Sequence, residues 1–263
     1  MQDTAPSPPR PPIPAAGQTW SAQGYARHAG FVADLGAPLI DLLAPRPGQR
    51  ILDIGAGDGA LTEKIAASGA AVVALEPDPS MAAAARARGL QVLEQDAHDP
   101  FGDSAFDALV SNAALHWMRR PATVLGHAFA ALRPGGRLVA EQGGFGNVAA
   151  VVTALRAALA AGGHPMPDPF PWDFPRPEAQ AARLQAAGFR VASMALIPRP
   201  TPLPTGIAGW LATFAAPFLA AVPETGRAAV LAQTEALLPA LRDDSGQWWA
   251  DYVRLRFVAE KPA

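Results

Sequence analysis

The chain has 263 residues, half of them apolar and only 17% charged, enough for a large core in one elaborate domain or a domain with a cap. Its formal charge of −2 offers no bulk attraction to nucleic acid or an anionic membrane. With no cysteine, disulfides, thiolate nucleophiles and cysteine-held zinc are excluded, which suits a cytoplasmic protein.

The opening "MQDTAPSPPRPPIPAAG" lacks a basic start and an apolar signal core, and its proline density predicts an extended tail over residues 1–17. No uninterrupted run of about 18 apolar residues follows, so no spanning helix is expected. Helical spacing over 20–43 predicts an N-terminal helical lid (18–47), stopped by "PRPG". Strands at 51–54, 70–76, 90–96, 106–112 and 137–141 then alternate with helices at 61–68, 80–89 and 122–132. That rhythm predicts a parallel sheet with helices on both faces, here the core at 48–146. Residues 147–263 add a helix (147–163), an aromatic, proline-rich loop, a helix (178–188), a strand (189–197), helices within 210–241 and a last strand (251–260). The two late strands complete the sheet, and the helices form a cap.

"ILDIGAGDGALTEKI" carries the first chemical signal. Gly55, Gly57 and Gly59 end a strand and open a helix, where glycine admits positive φ and close approach of a ligand. With Ala60 the turn also satisfies a relaxed dinucleotide fingerprint, and a tight turn with no ligand remains the plain alternative. Charge separates the cofactors. Asp53 and Asp58 flank the turn and no basic residue occurs from Ile51 to Glu63, which disfavours a pyrophosphate. Two carboxylates suit a ligand with an ammonium and a sulfonium, as in S-adenosylmethionine. Glu76, at the end of the second strand, can accept from ribose hydroxyls. Asp96, at the end of the third, can accept from the adenine amino group beside the Ala97 amide.

At these residues the chain resembles the class I S-adenosylmethionine-dependent methyltransferases, through "LDIGAGDG", "ALEPDPSM", "EQDAHD", "FDALVSNAALHW" and "LRPGGRLVAE" in family order. Ala56 stands where the family's glycine motif often has cysteine. Further likeness in "GGFGNV", "PWDFP", "RPTPLP" and "DYVRLRF" is to the trans-aconitate methyltransferase-like branch. The resemblance implies a Rossmann-like seven-stranded sheet of order 3-2-1-4-5-7-6 with the last strand antiparallel. It implies that Asp53, Gly55, Gly57 and Gly59 surround the methionine part, Glu76 the ribose, Asp96 and Ala97 the adenine, and Asn112 and Ala113 the open side. Tyr25 takes the place of the lid residue that closes over the cofactor.

In an open α/β sheet, ligands sit at the carboxyl ends of the strands. That edge receives His116 and Trp117 after strand four, Arg199 after strand six, and Tyr252 and Arg254 from an antiparallel strand seven. Trp172 and Trp210 are placed to roof the space. Each has a plain structural alternative: a satisfied core histidine, core tryptophans, arginines in ion pairs. The remaining histidines lack metal-ligand spacing, so no metal is expected. The resulting expectation is O-methylation of a small carboxylate gripped by Arg199, with neither nucleic acid nor membrane as partner. Three alternatives stand beside it: a phenol, amine or carbon acceptor with His116 as base; a cofactor-binding protein without turnover; and a nicotinamide-dependent oxidoreductase.

Overall fold

A computed structural model describes residues 20–30, 32 and 35–263. The tail assigned to residues 1–17 lies outside them. Strands β1 (Arg50–Ile54), β2 (Ala71–Leu75), β3 (Gln91–Leu93), β4 (Phe106–Asn112), β5 (Leu132–Gly143), β6 (Arg190–Pro202) and β7 (Trp249–Glu260) form one sheet. Its order is β3-β2-β1-β4-β5-β7-β6. β1 to β5 are mutually parallel, and β7 runs antiparallel to both β5 and β6. This is the fold the sequence implies.

Period-two alternation explains why both faces are covered. Ile51, Val72, Val110, Val139 and Val258 pack with α2 (Ala37–Leu43) and α3 (Ala60–Ala66) through Leu39, Leu43, Leu61 and Ile65. Their strand neighbours Leu52, Val73, Leu109, Leu138 and Phe257 point the other way, toward Leu125 and Ala128 of α5 (Pro121–Ala131) and Leu184 of α7 (Pro177–Ala186). Side chains such as Leu52 and Leu109 are wholly buried, and each contributes roughly 1.5–3 kcal/mol by leaving water.

A third cluster forms the cap. It joins α1 (Ala22–Ala29), α6 (Ala149–Ala161), α8 (Gly206–Phe214) and α9 (Glu224–Ala236) around Trp172, Trp210, Phe214 and Phe218. α1 begins at Ser21, whose hydroxyl accepts from Gly24 N, and α4 (Pro79–Ala87) at Asp78, which caps Ser80 and Met81. The two starts are tied together, because Asp78 Oδ2 also accepts from Trp20 N at 3.4 Å.

β3 stops at Leu93 rather than 96, so Asp96 lies in the segment beyond it, whereas two strands run well past their sequence limits. β6 reaches Pro202 rather than stopping near residue 197. Prolines 198, 200 and 202 are tolerated because β6 is an edge strand, with no partner for an outward N–H. β5 takes in the "RPGG" segment expected as a turn. No described helix is long and apolar enough to cross a membrane.

Candidate active site

A cavity of about 390 Å³ opens at the carboxyl ends of β1, β2 and β4 and runs under the cap. Of the residues expected there, Tyr25, Asp53, Gly55, Gly57, Glu76, Asp96, Ala97, Asn112, Ala113, His116, Trp117, Trp172, Tyr252 and Arg254 line it. Gly59 and Arg199 do not.

The three glycines differ in purpose. All have positive φ. A Cβ on Gly55 would stand 2.3 Å from the Ala114 Cβ, and one on Gly59 2.5 Å from Leu90 Cδ1, so both serve close packing. A Cβ on Gly57 meets nothing within 4 Å: that glycine faces open cavity. Its N–H donates to Glu76 Oε2 at 2.8 Å, while Glu76 Oε1 accepts from Asp78 N at 2.9 Å. Burial pushes the Glu76 carboxyl up to about 7 against these two hydrogen bonds. Burial likewise raises Asp53 to about 6, although Thr62 Oγ1 donates to it at 2.6 Å. Neither carboxyl has a cationic partner among the described residues.

Asp58 corrects part of the sequence argument. Arg88, thirty positions away, pairs with its carboxylate at 3.0 Å and donates to its carbonyl at 2.9 Å. The turn is therefore less anionic than its local sequence reads, and the carboxylates left uncompensated are Asp53 and Glu76. At Asp96 burial pushes upward, but hydrogen bonds from His98 outweigh it and hold the carboxyl below its usual value. His98 Nε2 accepts from Arg120 N at 3.1 Å, so its proton sits on Nδ1, 2.6 Å from Asp96 Oδ1. His98 thus orients Asp96. The "QDAHD" spacing of two was its available signal.

Asn112 Nδ2 donates to Val32 O at 3.1 Å and His28 Nδ1 bonds Thr205 Oγ1 at 2.8 Å, which ties the N-terminal segment to β4 and to the start of α8. Ala113 sits at φ 55° with its N–H donating to Glu141 O at 2.8 Å. A non-glycine residue in that region costs about 1–3 kcal/mol and persists where neighbours over-determine it.

Beyond them the walls turn aromatic. Trp172 meets Trp117 and Trp210 edge to face at 5.7 and 6.3 Å, and Trp117 packs on Trp20 at 5.2 Å. Phe174 stacks on Trp172 at 5.5 Å and touches His116 at 5.6 Å. Trp20, Phe174 and Phe214 were not expected here; an isolated aromatic in a sequence carries no sign of which cavity it will face.

His116 Nδ1 accepts the backbone N–H of Gly143 at 3.2 Å, so the proton of the neutral ring is on Nε2. Burial, with Arg254 adding to it, lowers its pKa to about 3. In this arrangement the ring is neutral and presents its Nε2–H as a donor. Arg254 lies over the Tyr252 ring at 4.2 Å, and Tyr252 Oη accepts from Trp210 Nε1 at 2.6 Å. Arg199 is committed elsewhere: its Nη2 is 2.6 Å from Glu141, whose other oxygen is held by Arg256 at 2.7 Å. The expected grip of Arg199 on an acceptor is thereby corrected.

Against known proteins, a family model described as a methyltransferase domain matches residues 52–140. An uncharacterized methyltransferase of Schizosaccharomyces pombe is 36% identical over 255 residues, covering 92% of this chain and 98% of the relative. The chain belongs to the class I methyltransferases. The cofactor of that family is S-adenosylmethionine. A demethylmenaquinone methyltransferase of Thermus thermophilus is 38% identical over 174 residues, 58% of this methyltransferase and 79% of the relative. Among solved structures, the YcgJ protein of Bacillus subtilis superposes with a TM-score of 0.61 at 15% identity, covering 89% of this chain and 99% of that one. A Haemonchus contortus phosphoethanolamine N-methyltransferase complex gives 0.58 at 15% identity, over 92% of this chain and 57% of that one. At such identities these two speak for the fold alone.

Proposed function

We propose that this methyltransferase moves the methyl group of S-adenosylmethionine to a carboxylate of a small molecule enclosed under the cap, forming a methyl ester. The observation that carries the cofactor's placement is the pair of buried carboxyls, Asp53 and Glu76, raised to about 6 and 7 with no cation beside them among the described residues. Such groups favour a ligand that brings positive charge and hydroxyl donors. Glu76 is suited to the ribose, Asp96 and Ala97 to the adenine edge, and the open face of Gly57 to the methionine part. Tyr25 and Asn112 close the remaining side.

When bound, the cofactor supplies an electrophilic methyl: an oxygen–carbon bond forms as the sulfur–carbon bond breaks, and no proton moves if the acceptor is a carboxylate. The protein's part is placement and exclusion of water, for which effective molarities of about 10⁵ M or more are available. The tautomer of His116 supports this reading. A phenol, amine or carbon acceptor requires proton removal, and a neutral Nε2–H ring can only donate. The likeness of the motifs to the trans-aconitate methyltransferase-like branch also favours an acid. The name of the Thermus relative points instead to a demethylmenaquinone, so that class belongs in the same test.

The test is acceptor-dependent release of S-adenosylhomocysteine across small acids, phenols, amines and quinols, with the product identified by mass. Ester formation that survives His116→Gln supports the reading. Methylation of phenols, amines or carbon alone, abolished by His116→Gln, overturns it. Cofactor binding with no turnover on any class returns the non-catalytic alternative.

A further inference from the structure

Three arginines share one face of the outer sheet. Arg199 lies opposite Tyr252, and Tyr252, Arg254 and Arg256 alternate along β7, so all four point to the same side. Glu141, opposite Arg256 on β5, is on that side too and only 1% exposed. Arg199 and Arg256 take its two oxygens. Arg254 is left over. It is 3% exposed, lines the cavity, and makes no ion pair or hydrogen bond among the described residues; its Nε is buried without an acceptor. Glu141 acts on Arg254 only at a distance, with both its oxygens already taken, so this buried guanidinium is short of negative charge, and the Tyr252 ring beneath it offsets only part of that.

Other unmatched groups nearby have the same polarity. Trp172 Nε1 is buried with no acceptor, and His116 directs its Nε2–H away from the Gly143 bond. Each is a donor. The acidic residues among the described lining, Asp53, Asp58, Glu76, Asp78 and Asp96, all belong to the turn and strand ends on the cofactor side. Among the described residues this end of the lining holds no negatively charged acceptor, and what surrounds the gap is aromatic.

We propose that Arg254, His116 and the tryptophan wall form a subsite for a single planar anion carried on a flat apolar body, that is, an aryl or similarly conjugated monocarboxylate. The inference rests on the reading that this cavity receives a methyl acceptor, and it sets the acceptor's class. One buried cation balances one carboxylate. A second or third carboxylate would have to leave water with no partner, which selects against polyacids. Trp117, Trp172, Trp210 and Phe214 offer ring edges and faces that complement a flat ring. With the cofactor inside the same 390 Å³, near the low end of the roughly 300–1,000 Å³ typical of ligand pockets, the body must be small.

The test is calorimetry on the full chain saturated with S-adenosylhomocysteine, which permits binding without turnover. Benzoate, cinnamate and indole-3-acetate are the probes, against their uncharged amides and the tricarboxylate trans-aconitate. At least one aryl acid should bind tenfold or more tighter than its amide and than the tricarboxylate. Arg254→Met should remove that preference, leave the amide and S-adenosylhomocysteine affinities unchanged, and so report a folded protein; Arg254→Lys should restore part of it. Tighter binding of the tricarboxylate, no binding of any aryl acid, or an Arg254→Met variant that keeps the acid preference would overturn the subsite. The two proposals fail separately. Aryl acids that bind but are not methylated with S-adenosylmethionine overturn ester formation and leave the subsite standing. Esterification of polyacids alone does the reverse.

Discussion

Replacing Glu76 by alanine tests the cofactor end of the cavity. The carboxylate accepts from Gly57 N at 2.8 Å and Asp78 N at 2.9 Å, so it both shapes the glycine turn and offers its remaining lone pairs to the cavity. In the proposed complex the ribose hydroxyls use those lone pairs. Hydrogen bonds to a charged group contribute about 1.5–3 kcal/mol net, which converts to about tenfold to somewhat over a hundredfold in dissociation constant. The sign with pH follows from the raised pKa. The ligand wants the ionised carboxylate, whereas the free protein holds the proton until about pH 7. Affinity in the parent should therefore rise between about pH 6 and 8 and level off above, and Glu76→Ala should flatten that part of the profile. Stability runs oppositely: the folded value of about 7 exceeds the ordinary 4.5, so this group's contribution is full below 4.5 and is lost as pH climbs through 7. Calorimetric titration with S-adenosylhomocysteine at several pH values, beside melting curves, reads all three effects. An unchanged dissociation constant in a folded Glu76→Ala protein would refute the ribose role.

The glycine turn gives a paired prediction: both substitutions put alanine at positive φ, but Gly55→Ala also forces a 2.3 Å contact and should lower the melting temperature more, whereas Gly57→Ala enters open space and should show the larger loss of cofactor binding. Finding the two losses exchanged would contradict the assignment of packing to one and ligand approach to the other. Arg199→Lys should leave the KM of the acceptor unchanged and reduce thermal stability, because its guanidinium serves Glu141; a raised KM with unchanged stability would restore the acceptor role. The pH–rate profile at saturating substrates should show no limb assignable to His116 above pH 5, since burial holds it neutral from about 3 upward; a limb near 6.5 that vanishes in His116→Gln would contradict this.

The sheet was legible because its determinants are local. Alternation such as Ile51/Leu52 and Val72/Val73 marks strands covered on both faces, and glycine turns mark their ends. The strand order came through the family resemblance, not through periodicity. Strand limits were less legible: the prolines of β6 read as an end, yet an edge strand tolerates them. At the site, residues in the segments that follow a strand, such as Glu76 just after β2 and Asp96 beyond β3, could be placed from position alone. Partners brought together by tertiary packing could not. Nothing in "GDG" or "ARARG" tells that Arg88 neutralises Asp58, and nothing near His116 tells that Gly143 N–H fixes its tautomer. The choice between Arg199 and Arg254 is of the same kind. Both face one side of the sheet, and only the position of Glu141 decides which guanidinium is already taken.

The most direct measurement of the central claim follows a carbon-13 methyl label from S-adenosylmethionine through a single turnover with an accepted small acid, observed by carbon NMR. The account predicts that the sulfonium methyl signal is replaced by that of an ester methyl, in parent and His116→Gln protein alike. A label arriving on nitrogen, carbon or a phenolic oxygen, or remaining on sulfur with every acid that binds, would contradict it.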